Sequence, residues 1–314
     1  MDGLQSALNP AGPQASVIAA ITWTFFAIGL VVYVLVIGVC AWAIFRRRRT
    51  ADNAPETDNR LTWVVAAAVL ATVATVIVLS GISVVAGRGL TAPSGDNAVT
   101  IDVIGHQWWW EFQYRGAMAS ELVNSPNEMH IPVGIPVVIT AISRDVIHSF
   151  WTPNLQGKRD LIPGFETQMR LQADAPGIYR GQCAEFCGHQ HAHMAFQVIA
   201  EPADAFQSWL QQQRRAAPAP STADAQRGHD VFMNGTCATC HTIRGTSAGS
   251  RIGPELTHLA SRKRIAAGTL EQTRDHLARW IVDSQSIKPG NRMPPNPLSP
   301  DDLQALLTYL ETLR

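Results

Sequence analysis

Cysteine is scarce in this chain, with five among 314 residues. Cys40 lies inside an apolar run, while Cys183 and Cys187 form one close pair and Cys237 and Cys240 another. An odd number arranged this way does not suit a disulfide framework and points to metal or haem attachment. Net charge is absent. Lysine plus arginine and aspartate plus glutamate both total 25, so the average says little, and no nucleic-acid partner is expected. What matters is where charge is missing. None lies between Val17 and Phe45, and none between Leu61 and Ala86. Soluble core helices rarely stay uncharged so long. At about 1.5 Å per residue, each run can cross a bilayer of roughly 30 Å. The first run also lacks the basic leader of a cleaved signal peptide, because only Asp2 is charged before it, and it is longer than such a core. An anchor fits better.

The length suggests two or three units. Residues 1–95 are expected to form a transmembrane hairpin, with helices at about 17–45 and 61–86. Arg46, Arg47, Arg48 and Arg49 follow the first run and Arg60 precedes the second. Short cytoplasmic loops concentrate such residues. The connecting loop is therefore placed in the cytoplasm. Both termini, and everything after Ala86, are placed on the outer, periplasmic side of a bacterial inner membrane. Trp23, Trp42 and Trp63 stand near the run ends as an aromatic belt. Cys40 reads as a small helix-packing residue.

From Val99 to about Ala200 the text changes to strands and turns. "AVTIDVIG", "WWWEFQY", "PVVITAIS", "TQMRLQA" and "FQVIAEP" are separated by Pro, Gly and Asn. A β-sandwich or barrel is expected, bounded at about 96–210. Its last part contains "CAEFCGHQHAHM", Cys183 to Met194. Cys183, Cys187, His191 and Met194 place thiolate, imidazole and thioether together, a donor set that selects copper over hard cations. A second histidine must come from elsewhere. His148, in "SRDVIHSFW", is the best candidate, read as the end of a strand. His189 and His193 read as exposed loop histidines. Asp145, three residues before His148, reads either as a hydrogen-bonding group or as a turn residue.

These motifs, with "GHQWWWEFQY" and "IPG", resemble subunit II of the haem–copper cytochrome c oxidases. The resemblance implies a cupredoxin fold holding a dinuclear copper A centre. Cys183 and Cys187 would bridge the coppers and His148 and His191 would each bind one. Met194 and the Glu185 carbonyl would be weak ligands. The Glu185 side chain would reach a magnesium ion at the interface with subunit I. Trp108, directly after "GHQ", would lie at the surface and admit the electron. Many family members carry glutamate where Arg60 stands, so proton uptake would differ or use another residue such as Glu56.

Gln211–Ala223, "QQQRRAAPAPSTA", has no apolar period and reads as a semi-extended linker, bounded at 211–224. "CATCH", Cys237–His241, is the c-type haem attachment signature. Cys237 and Cys240 would form thioethers and His241 would bind iron. Met293, in "NRMPPNP", is the only methionine after Cys240 and is the expected sixth ligand. His258 and His276 are alternatives read as solvent-facing helix residues. Pro254, in "IGPEL", would orient His241 through its carbonyl. Residues 225–314 thus resemble an all-α class I cytochrome c domain fused to the first two.

Residues 96–213 carry an excess of acids and 225–314 an excess of bases. Opposite signs favour docking of the haem domain near Trp108, weakened by salt. The function implied is electron transfer from haem c through copper A to subunit I, where oxygen is reduced. Partners would include subunits I and III and a donor, either cytochrome c or a bc-type complex. The alternatives are the copper A subunit of a nitric oxide reductase, or a membrane-anchored carrier without a catalytic partner.

Overall fold

The computed structural model describes residues 5–46, 59–90, 98–116, 118 and 121–314. Helices α1 (Pro13–Arg46) and α2 (Asn59–Leu90) form one unit, residues 16–93. Both extend past the uncharged runs that signalled them. Pro13 suits the first helical position, where a missing N–H costs nothing. Thr22, Thr24, Thr72 and Thr75 return their hydroxyls to the carbonyl four residues back at 2.8–2.9 Å. Polar groups satisfied within the helix suit a medium without water. Side chains of the most apolar stretches are not buried within the chain, unlike those of a core helix. Arg60 lies in the first turn of α2. Arg47, Arg48, Arg49 and Glu56 lie outside the described residues.

The second unit holds everything else. Its β part comprises β1 (Val99–His106), β2 (Trp109–Tyr114), β3 (Val123–Pro126), β4 (Glu128–Pro132), β5 (Val137–Ser143), β6 (His148–Trp151), β7 (Arg159–Leu161), β8 (Thr167–Leu171), β9 (Gly177–Cys183) and β10 (Ala195–Glu201). They form two five-stranded sheets, ordered β3-β2-β1-β5-β8 and β4-β10-β9-β6-β7. The sheets face each other over an aromatic core. Trp110 meets Phe150 and Phe196 edge-on at 5.9 and 5.3 Å, and those two rings stack at 4.5 Å. Such pairs add about 0.5–1.5 kcal/mol each beyond their burial. Gly181 makes room for this stack, since a Cβ there would lie 2.1 Å from the Phe196 ring.

The five signalled strands are β1, β2, β5, β8 and β10. The others are short or polar and gave no apolar alternation. His148 opens β6 rather than ending a strand, because Arg144–Ile147 turn the chain between β5 and β6. The N-terminal tail also belongs here. Ser6 N donates to Asn154 Oδ1 at 2.9 Å, Ala11 N to the Asn154 carbonyl at 2.7 Å, and Asp174 N to the Ala11 carbonyl at 2.8 Å.

Beyond β10 lie α3 (Ala203–Gln213), α4 (Ala223–Asn234), a two-residue ladder of β11 (Arg264–Ile265) and β12 (Leu270–Glu271), α5 (Arg274–Val282), α6 (Ser284–Ile287) and α7 (Pro300–Leu310). Thr222, Thr273 and Ser299 cap α4, α5 and α7 with side-chain oxygens. Helices α4 and α7 cross at Gly228, where a Cβ would sit 2.0 Å from the Ala305 carbonyl oxygen. The supposed linker is partly wrong. Residues 211–213 finish α3, and the stretch after them is fastened to the helical domain. Ala217 N donates to the Arg244 carbonyl at 2.9 Å, and Arg244 Nη1 to the Gln213 carbonyl at 3.2 Å. A segment without apolar period still has main-chain groups that need partners.

Candidate metal centres and the junction between them

The loop after β9 turns back on itself between Cys183 and Met194, ending in a 3-10 turn at His191–His193. Around Cys187 Sγ stand Cys183 Sγ at 3.7 Å, His191 Nδ1 at 3.6 Å and Met194 Sδ at 3.8 Å. Around Cys183 Sγ stand His148 Nδ1 at 3.9 Å and the Glu185 carbonyl at 3.2 Å. All five side chains and the carbonyl of the expected set therefore converge. Cys183, Cys187, His148 and Met194 are buried. The soft donor set fits copper rather than a hard cation.

The thiols are electrostatically unequal. Their mutual hydrogen bond, above all, pulls Cys183 down to about 3 and pushes Cys187 far up, with burial adding to the rise. Metal binds thiolate, so one of the two is in ligand form at neutral pH and the other would release its proton to solvent on binding metal. Asp145 is not a mere turn residue. Its Oδ1 lies 2.8 Å from His148 Nε2, and its Oδ2 accepts from Gln107 N at 2.7 Å. With Nε2 engaged, Nδ1 of His148 is left for metal. The Glu185 side chain points the other way, toward Lys158 Nζ at 3.5 Å. His189 and His193 are exposed, and His193 Nδ1 lies 2.9 Å from Gln190 Oε1.

Cys237, Cys240 and His241 follow α4 through a 3-10 turn. His241 Nδ1 lies 2.7 Å from the Pro254 carbonyl, so its Nε2 is left for iron. Burial holds its pKa below the usual value, which keeps the ring neutral as a ligand must be. Gly253 packs so closely that a Cβ would meet the imidazole at 2.7 Å, which fixes the ring. The Met293 main chain is held between Asn291 Oδ1, 2.8 Å from its N, and Gln285 Nε2, 2.9 Å from its carbonyl. A neutral imidazole and a thioether-bearing loop suit haem c. His258 does not face solvent as its text suggested. It is 4% exposed, in a turn before residues 259–261 rather than in an α-helix. His276 lies in the first turn of α5, with Nδ1 3.0 Å from the Glu271 carbonyl. It is a helix residue on the exposed side, as its text suggested.

Trp108 is not at the surface. It is 8% exposed, its indole N–H donates to the Cys187 carbonyl at 2.9 Å, and the helical domain meets its main-chain carbonyl. The reason is docking in cis. Lys288 Nζ donates to the Trp108 carbonyl at 3.1 Å and the His193 carbonyl at 2.8 Å. Gln190 Nε2 donates to the Pro289 carbonyl at 2.8 Å, Ala195 N to the Ala267 carbonyl at 3.1 Å, and Lys263 N to Glu128 Oε1 at 2.7 Å. Arg251 and Arg292 reach Glu111 and Asp145 at 3.5 Å. In these pairs the bases are on the helical domain and the acids on the β domain. Burial pulls the Lys288 pKa down to about 7. Lys288, Gln190 and Gln107 were missed in the sequence. Gln107 stood beside Trp108, but only three lysines occur in the chain and nothing local distinguished this one.

Residues 116–201 match the family described as Cytochrome C oxidase subunit II, periplasmic domain, and residues 225–314 the family described as Cytochrome c. A protein named cytochrome c oxidase subunit 2 from Alkalihalophilus pseudofirmus is 36% identical, over 98% of this chain and 91% of its own length. Its namesake from Bacillus sp. (strain PS3) is 33% identical, over 69% of this chain and 63% of its own length. That from Bacillus subtilis is 30% identical, over 70% and 63% respectively.

Proposed function

The chain belongs to the cytochrome c oxidase subunit 2 family, and from that premise we propose how its own residues serve electron transfer. It is the electron-accepting subunit of that oxidase, with subunit I as its partner. When bound, a c-type haem and a dinuclear copper A centre supply two one-electron carriers. Cys183, Cys187, His148, His191, Met194 and the Glu185 carbonyl are the donors that would hold the copper pair. Asp145 and Gln107 hold this loop in register. Cys237 and Cys240 would attach the haem covalently, His241 and Met293 would ligate its iron, and the Pro254 carbonyl orients His241. Trp108 closes the copper site on the side where the haem domain sits. The observation that carries the reading is the approach of Cys183, His191 and Met194 to one sulfur, Cys187 Sγ, within 3.6–3.8 Å.

The Glu185 side chain, now 3.5 Å from Lys158 Nζ, would supply a carboxylate to magnesium at the subunit I interface. Phe186 and Phe165, both exposed, support a contact face beside it. The proposed boundaries are a membrane hairpin to about residue 95, a copper domain from 96 carried through α3, and a haem domain from 225. Both termini and both redox domains face the periplasm. Bonding of residues 6 and 11 to the β domain supports this, since both ends of the hairpin then lead to one side. Trp23 and Trp42 lie 19 residues apart, about 28 Å along a helix, the thickness of a bilayer core. The donor is a cytochrome c or bc-type complex, and subunit III completes the assembly.

The test is oxidase carrying Cys237→Ser with Cys240→Ser. Acid–acetone extraction should remove its haem c, and reduction of copper by cytochrome c should slow severalfold. Haem retained through extraction, or copper reduced at the wild-type rate, would overturn the route.

A further inference from the structure

Lys288 is 2% exposed, although an ammonium is costly to take out of water. Its three donors meet three main-chain carbonyls: Trp108 at 3.1 Å, His193 at 2.8 Å and Ala266 at 3.2 Å. Two of these belong to the copper domain. Such carbonyls use an ammonium's full donor capacity. The backbone that presents it is fixed as well. Lys288 N donates to the Ser284 carbonyl at 2.9 Å, and its own carbonyl accepts from Asn291 Nδ2 at 2.8 Å. Asn291 in turn accepts from Met293 N at 2.8 Å. On the copper side, His193 directly precedes Met194, and the Trp108 indole is bonded to the Cys187 carbonyl. Lys288 thus stands between the loop that carries Met293 and the loop that carries Cys187 and Met194.

We propose that Lys288 is the positioning residue that seats the haem-domain loop Ser284–Met293 on the copper loop, fixing how the two redox domains of this chain meet. This rests on the proposed ligand sets. The flanking ion pairs cannot do the same work. Arg251 and Arg292 are more than half exposed and stand 3.5 Å from their partners, so salt screens them. The Lys288 contact is shielded from solvent, so the docked arrangement persists in salt. With both groups bound, the seat would serve transfer of one electron from the haem to the copper pair, with no bond made or broken.

The experiment uses the intact oxidase with Lys288→Met, and with Gln190→Ala as a second variant whose lost bond, to the Pro289 carbonyl, lies on the same seat. Metal and haem content are measured first, so that missing copper or haem in the wild type would sink the ligand assignment rather than the role of Lys288. Amide exchange is then followed at residues 188–194 and 284–293, with haem-to-copper transfer in a single turnover at low and high salt. Wild-type transfer should change little with salt. Lys288→Met should raise exchange in both segments and slow transfer about tenfold or more at high salt, with copper EPR and haem optical spectra unchanged. Gln190→Ala should shift both readouts the same way by a smaller factor. Wild-type exchange and rates in Lys288→Met, or in Gln190→Ala should the first variant not assemble, would overturn the proposal.

Discussion

Asp145 is the most informative single side chain to change, because one carboxylate links a ligand to the loop that covers it. Asp145→Asn keeps the shape and removes the charge. In the wild type both oxygens accept: Oδ1 faces His148 Nε2 and Val146 N, each at 2.8 Å, and Oδ2 faces Gln107 N at 2.7 Å. An amide has only one oxygen. Whichever way it turns, its NH2 confronts an N–H, at His148 or at Gln107. Burial alone would raise the Asp145 pKa, but bonds from His148, Val146 and Gln107 outweigh it and hold the carboxylate charged. One lost hydrogen bond to a charged, half-buried group costs about 1.5–3 kcal/mol. At about 1.4 kcal/mol per factor of ten, copper affinity should fall roughly 10- to 150-fold. Competition with a chelator of known affinity, read by the copper EPR signal, measures it. An affinity within about twofold of wild type would refute the reasoning, since His148 would then need no partner at Nε2.

Other changes follow the same logic. Met293→His should keep the haem covalently attached but lower its reduction potential, because thioether ligation favours the ferrous state. Redox titration followed in the visible spectrum reads this, and an unchanged potential would remove Met293 from the iron. Gly228→Ala should force α4 and α7 apart, costing the haem domain about 1–3 kcal/mol, seen as a lower midpoint when haem absorbance is followed on heating. Glu185→Gln should abolish the EPR signal of manganese substituted for magnesium and leave copper in place, because the backbone carbonyl remains. Loss of both signals would mean that the carboxylate supports the copper loop itself.

The sequence revealed those parts of the site that are local. Cys183, Cys187, His191 and Met194 lie within twelve residues, and "CATCH" is contiguous, so spacing alone exposed their chemistry. Five strands announced themselves by alternation, and both long helices by their lack of charge. His148 was found as the candidate second histidine beside a strand, but its place at the start of β6 was misjudged because the turn before it is short and mixed in character. What stayed hidden depends on pairings across the fold. Asp145 serves His148 three residues on, but also Gln107, 38 residues back. Lys288 bonds to Trp108 over 180 positions. The Trp108 surface expected from resemblance is met at its main-chain carbonyl by a domain that the chain itself supplies. Opposite net charges hinted at this docking, yet its buried contacts are a lysine among carbonyls and main-chain bonds, which charge counting cannot locate.

The central claim is that this chain carries two redox centres in docked domains. The most direct test is copper and iron analysis with EPR on the purified, intact oxidase. The account predicts two coppers per copy of this chain in a shared-electron copper A signal, and one covalent haem c ligated by histidine and methionine. Haem without that copper signal would contradict it, because Cys183, Cys187 and the four donors gathered around them would then hold no metal pair.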